Sequence, residues 1–274
     1  MEKIFTSFLM GGLGNQLFQV ANCISQSNEK NAKAKFRKNS WTPMQGKNAE
    51  FYSNNIFSKL DFVGDIDNLI RVSEKSFSFS ELDIPENCNI EFHGYFQSGK
   101  YFKNYKNEIS HYFSPDSEFV KKITEKYPQI ILDNTVSIHI RRGDYLNFPH
   151  IHPTIDISYI NEAIHQIGKY SFIFVFSDDK EWVLSNLKFD NMIIVEGNED
   201  YEDLWMMSLC KNNIISNSSF SWWASFLNKN PNKKIISPSI WFGPGGQQDY
   251  HDVFEDNFIK INTIYKEGNL CYSI

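Results

Sequence analysis

From about residue 133 onward, short apolar runs alternate with helical patterns, and that rhythm limits the fold more than any other feature of the 274 residues. The runs are TVSIHI (135–140), SFIFVF (171–176), MIIVE (192–196), NIIS (213–216) and KIIS (234–237). Each is short, strand-sized and rich in apolar residues, TVSIHI in alternation, as expected of strands in a sheet covered on both faces. Between them Ile157, Ile160, Ile164 and Ile167 recur at helical spacing, as do Leu204, Met207 and Cys210. Strands alternating with helices predict an α/β unit built on a parallel sheet.

The earlier part of the chain is less regular. KIFTSFL (3–9) reads as a strand, MGGLGN as a tight turn, and NQLFQVANCISQS as a helix with Leu17, Phe18, Ala21 and Ile24 on one face. Residues 38–90, rich in Asn, Ser and Asp, predict loops and short elements. Phe102, Tyr105, Ile109 and Tyr112 then recur at helical spacing. SPDSEFVKKITEKY follows with a serine cap, a proline in the first turn, early acids and late lysines. YPQIILDN joins a proline break to a polar turn, so two domains are expected, 1–132 and 133–274.

The formal charge of −6 excludes a broad nucleic-acid surface, which needs a net basic face. Any anionic ligand must be met by a local cluster of cations. Cys23, Cys88, Cys210 and Cys271 form no CxxC pair and read as free thiols in a reducing compartment. The opening MEKIFTSFLMGG is too short for a signal sequence, and no apolar run approaches the roughly 20 residues of a membrane span. A cytoplasmic protein without a transmembrane segment is expected. No His or Cys cluster has metal-ligand spacing, and DID at 65–67 lies far from any other candidate, so the reading is metal-independent.

In an open parallel sheet, ligands bind beyond the carboxyl ends of the strands. Three expected strand ends carry polar clusters: His139 to Asp144, Ser177 to Asp179, and Ser216 to Ser221. Arginine presents a planar fork of donors matched to two phosphate oxygens. On an extended segment Arg141 and Arg142 start toward opposite faces; Arg141 shares a face with His139 and is the phosphate candidate, while Arg142 pairs with Asp144. Ser216, Asn217, Ser218 and Ser219 precede an apolar helix whose open N–H groups and hydroxyls suit an anion. GGLGNQ supplies Gly12 and Gly14 but Leu17 where a dinucleotide fingerprint needs a third glycine. Its turn still allows close approach of a ligand, with Asn15 and Gln16 offering amides.

GGLGNQLFQ, GYFQS (94–98), HIRRGDY and ISNSSFSWWASFLN, in that order, resemble the bacterial alpha-1,2-fucosyltransferases of glycosyltransferase family 11. The resemblance implies a GT-B-like fold of two Rossmann-type lobes, with 1–132 on the acceptor side and 133–274 a parallel-sheet donor-binding domain. It implies an inverting transfer of L-fucose from GDP-fucose, a substrate and not a cofactor, to the 2-hydroxyl of a terminal beta-galactoside. Such an acceptor would be a lipid-linked surface-polysaccharide precursor, met by a peripheral protein at the inner face of the plasma membrane. Arg141 would grip the beta-phosphate and His139 lie near the nucleotide. Ser218, Ser219 and Phe220 would touch the diphosphate, and Asp203, in competition with the acids at 199, 200 and 202, would read the guanine edge. Gly12, Gly14, Asn15 and Gln16 would face the cleft from the other lobe. Asp144 is one candidate base, with His150, His152 and the acids near 178 also open. A transferase using another nucleotide sugar, and a non-catalytic nucleotide- or glycan-binding protein, are the alternative readings.

Overall fold

The computed structural model describes residues 2–38 and 46–274. It divides into two compact units, Met1–Ser114 with Asp249–Glu255, and Pro115–Gln248 with Asp256–Ile274.

In the second unit the strands Val136–Ile140, Ile173–Ser177, Met192–Ile194, Asn212–Ile214, Ile235–Pro238 and Phe258–Ile261 follow one another along the chain. Across the sheet they lie in the order third, second, first, fourth, fifth, sixth, and every pairing is parallel. This is the doubly wound arrangement, in which winding reverses between the first and fourth strands and leaves a crevice at their carboxyl ends. The five expected strands are present. The sixth, and the small sheet of Thr154–Ile155, Thr263–Lys266 and Asn269–Tyr272, go beyond the sequence reading.

Val136, Ile138, Ile140, Ile173, Val175, Ile214 and Ile236 form the strand side of one core. The helix Ile157–Ile167 covers them with Ile160, Ala163 and Ile167, capped by Asp156, whose carboxylate accepts from the Tyr159 amide at 3.1 Å. The fully buried Tyr159 hydroxyl lies 2.7 Å from the Ile215 carbonyl and 3.1 Å from that of Ile236, which ties the helix to two strand ends. The helix Ser117–Lys126 also belongs to this unit, because Phe119 packs edge-on against Trp205 at 4.9 Å. The units therefore part at Ser114 and Pro115, ahead of the 132/133 division read from the sequence. The cap of that helix is Asp116, accepting from the Phe119 amide at 2.7 Å, and not Ser114, whose hydroxyl turns back to the Ser110 carbonyl. Pro115 accordingly precedes the cap.

The first unit holds a four-stranded parallel sheet in the order Lys33–Ala34, Ile4–Ser7, Asn89–His93, Leu69–Ser73. The helix Leu13–Glu29 buries Leu17, Phe18, Ala21 and Ile24, the face expected from its spacing. One of these strands, Leu69–Ser73, lies within 38–90, where loops and short elements were expected, and Asn89–His93 begins at its end; residues 39–45 of that stretch lie outside the described residues. Leu69–Ser73 is an edge strand in which only Val72 is buried, so it lacks an alternating pattern. The helix expected around 100–113 is two pieces, a 3-10 stretch Gly99–Tyr105, itself kinked by non-helical torsions at Phe102, and an α-helix Lys106–Phe113 that starts after non-helical torsions at Tyr105. Ile109 and Phe113, rather than Tyr112, fill the core on that second piece.

The chain returns to this unit late. Asp249 accepts from the amides of Phe77 and Ser78 at 3.1 and 3.3 Å, and Asp252 from that of Phe79 at 3.1 Å. Among the described residues, no helix is long and apolar enough to cross a membrane.

Candidate functional site

Two strand ends meet at the switch point of the second unit. His139 stands on Val136–Ile140, its ring nitrogen Nδ1 3.0 Å from the hydroxyl of Ser216, just past the neighbouring strand Asn212–Ile214. The Phe220 ring lies 5.3 Å from the imidazole. Burial pushes the His139 pKa down to about 4, Asp178 opposing and Arg141 reinforcing the change, so the ring is neutral at working pH.

Past Ile140 the chain carries its two arginines and turns at Gly143 into the short 3-10 segment Asp144–Asn147. Arg141 is gripped by Asp144 at 2.5 Å and Asp178 at 2.9 Å, and its side chain keeps 34% of its surface exposed. Arg142 points elsewhere: its Nε donates to Asp179 at 2.9 Å, its guanidinium lies 4.6 Å from the Trp182 ring centroid, and only 13% is exposed. The ion pair expected between Arg142 and Asp144 is thus replaced by two others. Simple alternation along an extended strand fails because the Gly143 turn folds Asp144 back over Arg141. Asp178 also accepts from the Arg142 amide at 2.8 Å, and a β-carbon on Gly143 would sit 2.9 Å from its carboxylate, so this crossing needs glycine.

The serine-rich turn joins this cluster through Tyr145. Its hydroxyl donates to the Asn217 carbonyl at 3.0 Å and is also hydrogen-bonded to Ser218, and the Arg141 guanidinium stands 5.9 Å from its ring. Burial, above all, pushes the Tyr145 phenol up to about 12, so it remains a neutral strut. Ser218 caps the helix Ser219–Leu227, and the Asn217 amide nitrogen donates to the Pro153 and Trp241 carbonyls at 3.0 and 2.9 Å. The Asn217 side-chain oxygen is buried with no hydrogen-bonding protein partner. Ser219 and Phe220 are half-buried on the first turn. His139, Arg141, Asp144, Ser218 and Phe220 are therefore one cluster, and Tyr145, which the sequence reading passed over within HIRRGDY, is its centre.

Asp203 belongs to the helix Asp200–Leu209, which follows the third strand. Of the four acids there, Glu199 and Glu202 form a reciprocal cap and the Asp200 carboxylate accepts from the Tyr201 amide. Asp203 accepts from the Asn198 side chain at 2.9 Å, and burial, with Asp200 and Glu202 adding to it, raises its pKa to about 6.

In the first unit, Gly11 has φ +75°, and a β-carbon there would meet the Asn15 amide nitrogen at 2.5 Å. Gly12 caps the helix Leu13–Glu29, of which Gly14 is a buried part. The Asn15 side-chain oxygen accepts from Gln97 at 2.8 Å, joining GGLGNQ to GYFQS. Gln16 is 1% exposed and its amide nitrogen donates to the Gly11 and Lys47 carbonyls at 2.9 and 2.8 Å, so it braces the loop from within. Gln19 clamps the backbone of Met10 through both amide atoms, at 2.9 and 3.2 Å. Much of this long motif thus shapes the turn.

A doubly wound sheet with a carboxylate-held arginine and a serine-capped helix at its switch point is an arrangement that can receive an anionic ligand such as a nucleotide diphosphate. The model of glycosyl transferase family 11 matches residues 2–262, and the chain belongs to that family. It is 31% identical to an alpha-1,2-colitosyltransferase of Escherichia coli, over 88% of this chain and 93% of that one. It is 28% identical to a galactoside 2-alpha-L-fucosyltransferase of Caenorhabditis elegans, over 80% and 67%. The fold is similar to that of the NodZ alpha-1,6-fucosyltransferase co-crystallized with GDP, with a TM-score of 0.50 at 14% identity over 83% of this chain and 93% of that one. POFUT1 in complex with GDP-fucose gives 0.50 at 12% over 86% and 98%. The α/β architecture with parallel sheets is that of a GT-B glycosyltransferase.

Proposed function

We propose that this glycosyltransferase moves L-fucose from GDP-fucose to the 2-hydroxyl of a terminal beta-galactoside, with inversion at the sugar carbon. The observation that carries the reading is the Arg141 guanidinium, fixed by two carboxylates and linked through Tyr145 to the serine-capped helix start. Breaking a sugar-phosphate bond builds negative charge on the departing diphosphate and positive charge on the ring. Arg141, with Ser218 at the helix start, would meet the first of these charges. The linkage named for the E. coli and C. elegans relatives supports the 2-hydroxyl as acceptor. The acceptor would belong to a surface-polysaccharide precursor. Incubation with GDP-fucose and several beta-galactosides, with the product linkage read by NMR, tests the reading; release of nucleotide from UDP-sugars in preference to GDP-fucose would overturn it.

The 31% identity to a colitosyltransferase favours one second reading, GDP-colitose as donor. Colitose is L-fucose without its 3-hydroxyl, and a site that hydrogen-bonds that hydroxyl rejects the deoxy sugar strongly. Competing the two donors for one acceptor separates the readings.

The cation at the diphosphate is part of the chain itself, so the proposed transfer is metal-independent. We expect activity in EDTA within about twofold of the untreated rate; loss that magnesium or manganese restores would contradict this.

Asp203 would accept the paired N–H donors of guanine, which requires its ionised form. With its pKa at about 6, donor KM is expected to be flat above neutrality and to climb as pH falls through that value. Asp203→Asn should remove the acidic limb and raise donor KM about thirtyfold, for a charged hydrogen bond of about 2 kcal/mol, at nearly constant kcat. An unchanged KM in that variant would exclude Asp203 from base recognition.

A further inference from the structure

Arg141 is already engaged on the atoms that a phosphate would use. Its two terminal nitrogens each face a carboxylate, Nη2 that of Asp144 at 2.5 Å and Nη1 that of Asp178 at 2.9 Å. A guanidinium grips two oxygens through a pair of adjacent N–H groups, either Nη1 with Nη2 or Nε with Nη2. Nη2 belongs to both pairs, so Asp144 alone closes both forks, whereas Asp178 closes only the first. The charges agree with the geometry. Arg141 and Arg142 are outnumbered by their partners Asp144, Asp178 and Asp179, and the buried His139 ring is neutral. A cluster with a net negative charge opposes the approach of a diphosphate until one carboxylate withdraws.

The two carboxylates on Arg141 are held very differently. Asp178 follows the buried strand Ile173–Ser177, accepts from the Arg142 amide through Oδ1 at 2.8 Å, and lies against Gly143. It is part of the frame. Asp144 stands on the 3-10 turn Asp144–Asn147, which contains no buried residue, and its Oδ1 has no hydrogen-bond partner, meeting Arg141 as an ion pair alone. The turn is closed by backbone bonds, from the Leu146 amide to the Arg142 carbonyl at 2.9 Å and from the Phe148 amide to the Tyr145 carbonyl at 3.0 Å. Rotation of the Asp144 side chain therefore leaves the turn in place, and a partly exposed ion pair of this kind is weak enough to be exchanged.

We propose that Asp144 is a stand-in for the donor's phosphate. It neutralises Arg141 until the diphosphate arrives, and the diphosphate then takes its place on Nη2 and Nε while Asp178 keeps Nη1 in position. Asp144 thereby sets the affinity of the site for its donor, by competing with it for one guanidinium. This rests on the nucleotide-sugar reading above and deepens it by naming the residue that tunes donor binding.

The test is calorimetric binding of GDP, and of inorganic pyrophosphate, to the full-length protein. Asp144→Asn keeps the shape of the side chain without its charge and is expected to bind both ligands about tenfold more tightly than wild type, about 1.4 kcal/mol. Asp144→Ala is expected to gain as much, and circular dichroism checks the fold of each variant. Asp178→Asn also removes one negative charge but leaves Nη2 covered, so it is expected to bind no more tightly than wild type. Affinities of both Asp144 variants within twofold of wild type, or weaker, in folded protein overturn the inference and leave the functional reading standing. An equal gain in Asp178→Asn overturns it as well, because net charge alone would then account for the effect. If neither wild type nor any variant binds GDP, the functional reading falls and this inference with it.

Discussion

Replacing Arg141 with alanine is expected to lower kcat/KM by at least about a hundredfold, the scale seen when a preorganised donor to a developing anion is removed, while the protein stays folded. The second clause follows from the geometry. Arg141 is one-third exposed and packs into no core, whereas its neighbour Arg142 is the one embedded against Trp182 and Asp179. The alanine variant leaves Asp144 and Asp178 facing each other without their shared cation, so Arg141→Lys is the companion experiment. Lysine restores the charge but not the planar fork, and an intermediate loss of about tenfold is expected. Steady-state kinetics with circular dichroism on both variants decides the matter. Near-wild-type turnover by the alanine variant would remove the diphosphate role from Arg141.

Asn217→Ala is expected to give the largest loss of stability among the residues of the site. Its amide nitrogen is the donor to the buried carbonyls of Pro153 and Trp241. Each orphaned carbonyl costs about 1–3 kcal/mol, so about 3 kcal/mol is lost in all. For a unit of this size that lowers Tm by about 6–12 °C. Asn217→Asp makes the argument sharper, because aspartate has nearly the same shape and yet cannot donate; it should destabilise at least as much as alanine. Melting within about 2 °C of wild type in both variants would show that the two carbonyls find other donors.

The second unit was legible because its strands are covered on both faces. FIFVF is an unbroken apolar run, TVSIHI alternates Val136, Ile138 and Ile140 with Ser137 and His139, and the isoleucines of 157–167 mark the helix that covers them. Strand ends then gave the place of the site, since parallel strands bring His139 and Ser216 to one edge whatever their separation in sequence. What the sequence withheld was partner choice. Strand alternation separates Arg141 from Arg142 but gives Asp144 to the wrong one, and only the turn at Gly143 decides that Asp144 returns to the first and Asp179 serves the second. Likewise Gln16 reads as an available amide, and becomes a brace only once Lys47 is brought to it. The edge strand Leu69–Ser73, among the short elements expected in 38–90, could not be located for a different reason: with only Val72 buried it has no period to detect.

The late return of Asp249–Glu255 to the first unit bears on how the protein is made. Asp249 and Asp252 satisfy the backbone amides of Phe77, Ser78 and Phe79, so these contacts form only after some 171 to 173 further residues have been synthesised. Residues 1–114 therefore leave the ribosome as an unfinished body. Its closure waits for the synthesis of residues 249–255, and a nascent chain stalled before residue 249 would present an open edge to chaperones.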